Sequence, residues 1–178
     1  MDSVLQKMIK SLTESGEICR LFIWTDEPTR FSWSRIVESS DDAILVLVFN
    51  PEGLFEGMRI VPIMYVHKIH VNAGDYSIDD RQSILAEEAA TEFAGCSLFE
   101  KFIEKVADSG ELCELYTNDM EEHLGKVIEC DEDNVLVSHF DEEDLVLRGE
   151  ILLRLDDIHY FWARSRKCQS RNRLLPKF

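Results

Sequence analysis

Histidine and cysteine are the side chains best suited to metal binding or nucleophilic chemistry, and this chain has five of each. His67 and His70 are three residues apart. On a strand this odd spacing places two side chains on opposite faces, so they would not share a metal ion. The set His123, Cys130 and His139 matches no common zinc-ligand spacing. The sequence therefore predicts no metal site and no cofactor.

Adjacent acidic residues recur along the chain, from Asp41-Asp42 to Asp156-Asp157. Such a pair can serve acid–base catalysis when burial shifts one of its pKa values. In a chain with 35 Asp and Glu, however, adjacent acids are typical of a solvated surface. The sequence also contains no G-x-S-x-G, P-loop or G-x-G-x-x-G motif. We therefore expect a protein that is not an enzyme and has no catalytic residues.

The net charge of −16 is unevenly distributed. All the acidic residues lie before residue 164, whereas six of the 19 Lys and Arg lie at or after it, so an acidic body precedes a basic tail. An acidic body repels phosphate backbones and favours solubility or a basic partner. The tail is most simply disordered, because it is short and polar. Alternatively it folds back on the acidic body, binds an acidic partner or contacts phosphates.

Cysteine usage and hydropathy bear on the compartment. The cysteine number is odd and no C-x-x-C pair occurs, which favours reduced, packed thiols over a disulfide framework. The longest apolar run, residues 43–49, is far shorter than a membrane-spanning helix of about 20 residues. The first ten residues lack the features of a signal peptide. The sequence predicts a cytoplasmic protein without a membrane segment.

The elements that must position these residues are repeated. Residues 3–22 align with 97–116 with eight identities, among them the pairs Gly16/Gly110 and Cys19/Cys113. Each copy has apolar residues with a helical period, a serine suited to a capping box (Ser3 and Ser97) and a terminating glycine. After the glycine the period becomes two, which indicates a strand with the cysteine on its core face.

The repeat continues into two hairpins. Residues 34–49 align without a gap with 125–140, and each segment reads as a strand, an acidic turn and a strand. Gly57 and Gly149 each open another apolar strand, and a last short strand follows. The unit is thus one helix and five strands. Residues 72–96 between the copies predict a loosely packed linking helix, begun by Asp79 or Asp80, with Ile84, Leu85 and Phe93 as its apolar stripe.

The second copy resembles the Sm-like family, whose members are small SH3-like barrels. Residues 125–137, "GKVIECDEDNVLV", are similar to the first Sm motif, and residues 147–161, "LRGEILLRLDDIHYF", are similar to the second. The first copy keeps the hydrophobic frame but has Ser34 and Glu56-Gly57 in place of the motif glycine and Arg-Gly. In this family the motif asparagine and arginine contact RNA. The resemblance therefore implies Asn134 and Arg148 as RNA contacts.

These observations predict an α+β, mostly β fold. It would consist of two tandem repeats, each an N-terminal helix with a strongly bent five-stranded antiparallel barrel, joined by the linking helix. The predicted boundaries are 1–71 for the first Sm-like repeat, 72–96 for the linker, 97–162 for the second repeat and 163–178 for the basic tail.

The favoured function is a non-enzymatic binding or scaffolding protein that acts through protein–protein contacts, with a protein partner or self-association at the barrel edges. One alternative is an RNA-binding Sm-like protein, which the net charge disfavours. Another is an acidic inhibitor or immunity-type protein that blocks a basic partner.

Overall fold

The computed structural model describes residues 3–24, 29–71, 76–96 and 99–175. In these ranges it contains four α-helices, ten strands and two 3-10 turns, Ile63–Tyr65 and Leu155–Asp157. The helices are α1 Val4–Ser15, α2 Asp80–Glu92, α3 Phe99–Ser109 and α4 Arg166–Asn172. The strands are β1 Ile18–Ile23, β2 Ser32–Ser39, β3 Ala43–Phe49, β4 Phe55–Pro62, β5 Val66–His70, β6 Cys113–Thr117, β7 Glu122–Cys130, β8 Asn134–Phe140, β9 Leu147–Arg154 and β10 Ile158–Ala163.

All ten strands belong to one antiparallel sheet with the order β5-β1-β2-β3-β4-β10-β6-β7-β8-β9. The prediction of an α+β, mostly β fold is therefore confirmed. The strand order is the same in each half, fifth-first-second-third-fourth, and β4 joins the halves by pairing with β10. The sheet is open, because its end strands β5 and β9 do not pair with each other. The expected arrangement of two five-stranded barrels is not confirmed, because all ten strands form one continuous open sheet.

The start and end of α1 follow the predicted signals. Ser3 Oγ accepts a hydrogen bond from the Gln6 amide, and the Gln6 side chain accepts one from the Ser3 amide, so the capping box is formed. Gly16 ends the helix with a φ of 66°, a left-handed conformation that glycine adopts without steric cost. Ser97, the predicted cap of α3, lies outside the described residues.

Two hydrophobic cores lie on opposite faces of the sheet. Alternate residues of β3 point to each core, which is why every residue of this strand is buried. One core holds α1 against the first half and contains Cys19 and Leu21. The other holds α2 and α3 and contains Cys113 and Leu115. The predicted core faces of β1 and β6 are confirmed, since all four of these side chains are buried.

The linking helix α2 packs more closely than predicted. Asp79 caps it, since its carboxylate accepts a hydrogen bond from the Arg81 amide at 3.0 Å. The predicted stripe was wrong in part, because Ile84 and Leu85 are exposed while Phe93 is buried. Ala86 and Ala89 provide the remaining contact surface, and their small side chains let the helix lie close to the sheet.

The basic tail folds back on the acidic body as α4. Ser165 caps this helix by accepting a hydrogen bond from the Cys168 amide at 2.9 Å. Cys168 is buried against Leu112 and Leu124 of the second half. Lys167 lies 2.9 Å from Glu114 and 3.0 Å from Glu142. Disorder, the simplest expectation for the tail, is therefore wrong through residue 175, where the tail folds back on the body.

Candidate functional site

Asn134, one of the two residues implicated in RNA contact, is engaged by its own turn. It is the first residue of β8, and its backbone amide donates to Asp131 Oδ1 at 2.7 Å. Its side-chain amide donates to the same oxygen at 3.3 Å. The hydrogen bonds that Asp131 accepts from the backbone of Asp133 and Asn134 lower the pKa of its carboxyl group. These bonds form a self-contained turn of the kind that Asp and Asn favour.

Arg148, the other residue, lies at the far end of the β8–β9 ladder. In that ladder Asn134 is opposite Arg154, whereas Phe140 is opposite Leu147. Arg148 donates to Asp141 Oδ2 at 2.9 Å and to Asp144 Oδ2 at 3.2 Å. Its charge is thus paired within its own loop. The structure does not bring Arg148 and Asn134 together into one site.

A small polar cluster lies at the turn between β6 and β7. The ligand-type atoms of Asp119, Glu121 and His123 are within 4.8 Å of one another. Thr117 Oγ1 donates to Asp119 and lies 3.3 Å from His123 Nε2. Burial lowers the pKa of His123, and the neighbouring His139 lowers it further. These contacts are those of a tight turn, and sequence reasoning did not single out this set.

Of the His123, Cys130 and His139 set, the structure brings together only the two histidines. Their ring centroids are 5.5 Å apart. Cys130 pairs with Val135, whereas His139 pairs with Gly125, so the thiol lies toward the opposite end of the β7–β8 hairpin.

The end strand β9 corresponds to β4 in the other half and shares its backbone conformation, but β9 lacks the second neighbouring strand that β4 has in β10. Gly57 in β4 and Gly149 in β9 occupy equivalent positions, with φ of 131° and 140°. A Cβ on Gly57 would lie 2.7 Å from the carbonyl oxygen of Arg164 and 2.8 Å from that of Ala163, where the chain leaves β10. A Cβ on Gly149 would meet no atom within 4 Å. The place that β10 fills beside β4 is therefore open beside β9.

The side chains of β9 show the same difference. Counting from the equivalent glycines Gly57 and Gly149, Leu152 corresponds to Ile60. Ile60 is fully buried, whereas Leu152 is 66% exposed and Leu147, near the start of the strand, is 56% exposed. Isolated exposed leucines are ordinary, but here the exposure falls where the equivalent strand is covered. The charged residues Arg148, Glu150 and Arg154 share the strand and limit indiscriminate pairing of this edge.

The opposite end strand, β5, corresponds to β10. Both strands follow a 3-10 turn, and both begin with a buried aliphatic residue, Val66 or Ile158. This alignment makes His67 the counterpart of His159. β10 pairs on one side with β6 and on the other with β4, while β5 pairs only with β1 among the described strands. One end of the sheet is therefore β9, the counterpart of β4, and the other end is β5, the counterpart of β10.

Among the described residues, no helix has the length and apolar character needed to cross a membrane. Comparison of the chain with protein-family models, with curated proteins and with solved structures found no match.

Proposed function

We propose that this protein is a non-enzymatic scaffold of two tandem Sm-like units that associates with copies of itself through its end strands. In this assembly β9 of one copy pairs with β5 of the next. The pairing of β4 with β10 inside the chain is the observation that carries the proposal, because it joins the same two kinds of edge. Exposed strand edges present unpaired amide and carbonyl groups, which a second chain can satisfy.

The internal pairing also supplies a register for the external one. In the chain, Phe161 lies opposite Ile60 and Trp162 lies opposite Arg59. Transferred to the end strands, this register puts Ile69 of one copy opposite Leu152 of the next, and His70 opposite Ile151. The exposed Leu152 would then be covered as Ile60 is covered. A contact between two different edges is heterologous, so repetition of it gives a closed ring or a filament.

The charge of the chain sets the conditions for assembly. Each copy carries −16, so two copies repel each other at long range. Salt screens this repulsion within a Debye length of about 8 Å at physiological ionic strength. Association through the strand edges should therefore strengthen as salt is added. An assembly held by surface ion pairs would weaken instead.

The test is the mass of the full chain in solution, measured by sedimentation over a range of concentration and salt. We expect masses of several copies that rise with concentration and salt. Leu152→Lys places a charge in the proposed contact and should shift the chain to a monomer. Ile84→Lys is the matched control, because Ile84 is similarly exposed on α2, away from both end strands.

Two outcomes would contradict the proposal. A wild-type chain that stays monomeric at every concentration and salt has no such edge pairing. Equal effects of Leu152→Lys and Ile84→Lys would place the contact elsewhere.

A further inference from the structure

A buried arginine lies at the seam between the halves, independent of the end strands. Arg59 of β4 is only 8% exposed. It lies opposite Trp162 of β10, which in turn lies opposite Glu114 of β6. A basic, an aromatic and an acidic residue therefore form one row across three neighbouring strands.

The guanidinium of Arg59 is held by rings rather than by acids. Its central carbon lies 4.2 Å from the ring centroid of Tyr160 and 4.1 Å from that of Trp162. Across the part of the chain that the structure describes, no hydrogen bond or ion pair within 4 Å engages this guanidinium, and its buried Nε has no partner. Glu114, the acid of the row, is instead bound by Lys167. A buried charge is normally paired and hydrogen-bonded.

The desolvation of this cation is reflected in its titration. Burial lowers the pKa of the Arg59 guanidinium, against the raising effect of the nearby Tyr160 hydroxyl and Glu114 carboxylate. Arginine nevertheless stays protonated in proteins. The arrangement is therefore a fixed positive charge with unused hydrogen-bond donors.

A cleft of about 290 Å³ opens beside Arg59. Its wall combines apolar and aromatic side chains, such as Leu21, Ile23, Val48 and Tyr116, with polar and charged ones. Trp162 also lines the cleft. Its buried indole Nε1 is, like Arg59 Nε, a donor without a partner. A concave site in which apolar side chains surround convergent polar groups is the usual form of a small-molecule site.

The surroundings select the charge of the ligand. Arg30, Glu56 and Glu122 line the cleft beside Arg59. The two acids are partly neutralised by α4, with Arg166 at 3.6 Å from Glu56 and Lys167 at 3.6 Å from Glu122. A dianion such as a phosphate monoester would meet these two acids and the −16 net charge. A single carboxylate needs only the guanidinium, which matches its geometry with two parallel N–H groups.

We propose that this cleft binds a small monocarboxylate with an apolar or aromatic body. The carboxylate would accept hydrogen bonds from the Arg59 guanidinium, and the body would lie on the apolar wall. The carboxylate belongs either to a free acid or to the C-terminus of a peptide, since both present the same group to Arg59.

A calorimetric titration of the full chain with phenylacetate tests the site. Phenylacetamide has nearly the same shape without the charge, and phenyl phosphate carries a second charge. We expect phenylacetamide to bind about tenfold more weakly than phenylacetate, the loss expected for one charge-assisted hydrogen bond. Phenyl phosphate should also bind more weakly, because its second charge meets Glu56 and Glu122. Equal binding of phenylacetate and phenylacetamide, or no binding of phenylacetate and of the peptide below, would overturn the proposal.

Two peptide probes distinguish the sources. Acetyl-Gly-Gly-Phe with a free carboxylate and its C-terminal amide differ only in the group that would reach Arg59. Tighter binding of the acid peptide than of phenylacetate assigns the site to a chain terminus, and the reverse order assigns it to a free acid. Equal binding of the acid peptide and its amide, together with equal binding of phenylacetate and phenylacetamide, would contradict the proposal.

Arg59→Met separates a binding role from a structural one. This variant keeps a long side chain between the two rings but removes the unpaired charge. We expect it to bind phenylacetate about tenfold more weakly while its urea midpoint stays the same or rises. Arg81→Met is the matched control, because Arg81 is exposed on α2 and does not line the cleft, and it should change neither property. A lowered midpoint in Arg59→Met with unchanged phenylacetate binding would make Arg59 a packing residue only.

Discussion

Three of the five thiols are fully buried and act as packing groups. Cys19, Cys113 and Cys168 have no exposed surface. Burial raises the pKa of Cys19 to about 12 and that of Cys168 to about 12, and it raises the pKa of Cys113 as well. Thiols in this state are neutral and unreactive at physiological pH, since the thiolate is the nucleophile. The sequence prediction of packing thiols at Cys19 and Cys113 is confirmed.

These pKa shifts make stability depend on alkaline pH. In the unfolded chain a thiol ionises at about pH 8.5, whereas Cys19 in the folded chain keeps its proton up to a pKa of about 12. Between these values the folded state binds more protons, so the free energy of unfolding falls as pH rises. Each such thiol contributes a slope of at most about 1.4 kcal/mol per pH unit.

Cys19→Ala measures this contribution. Urea unfolding of the wild type and the variant at several values between pH 8 and pH 11 should give curves whose difference shrinks as pH rises, because the variant has one fewer thiol to ionise when unfolded. Other titrating groups cancel in this comparison. A difference that stays constant over the range would mean that Cys19 ionises equally in both states.

Arg59 shows why some residues of interest were not predicted from the sequence. It stands in an alternating apolar strand, where an arginine ordinarily faces solvent. Its burial depends on Tyr160 and Trp162, which lie about a hundred residues later and reach it only because β10 pairs with β4. The repeat alignment contains no signal for that pairing. Sequence reasoning instead selected Asn134 and Arg148, which a family resemblance implied.

At the scale of elements, the tail helix α4 contacts Glu114, a buried acid of the second half. The side chain of Glu114 is only 2% exposed, and Lys167 Nζ is 2.9 Å from it. Burial would lower the pKa of Lys167, but hydrogen bonds to Glu114 and Glu142 outweigh it and raise the pKa. The short helix thus neutralises a charge that the sheet cannot satisfy by itself.

Removing Lys167 should therefore be costly. Lys167→Met leaves Glu114 buried without its partner, and we expect a loss of about 3–5 kcal/mol in the free energy of unfolding. Arg166→Met is the matched control. Its side chain is 57% exposed and 3.6 Å from Glu56, so its loss should stay below about 1 kcal/mol.

The double variant Lys167→Met with Glu114→Gln completes this test. With both charges removed, most of the lost stability should return. Urea unfolding of the four chains gives the comparison. Similar losses for Lys167→Met and Arg166→Met would show that Glu114 does not depend on α4.

The elements themselves were largely predictable because their signals are local. A capping serine, a 3.6-residue apolar period and a terminating glycine specify α1 without reference to the rest of the chain. The packing of α2 was not predictable, because its buried face consists of alanines that carry little hydropathy signal. The fold-back of α4 depends on Glu114 and Glu142, which are distant in sequence.

At the scale of the whole molecule, one sheet runs through both halves. Its strand order repeats, and the junction of β4 with β10 unites an edge from each half. The repeat was evident from the sequence, but the junction was not, since strand pairing between repeats leaves no periodic pattern. The ends of this sheet carry the same two kinds of edge, which is the basis of the proposed association.

The most direct measurement of the central claim is a cross-link between copies in the proposed register. Ile151→Cys and His70→Cys are prepared as separate chains, each in a background with the two half-buried thiols Cys96 and Cys130 changed to serine. Directly paired antiparallel residues have Cα atoms about 4.5–5.5 Å apart, within the range for a disulfide. On mild oxidation we predict a disulfide between the two variants when they are mixed, and little in either alone. No cross-link in the mixture, or equal cross-linking of each variant with itself, would contradict the account.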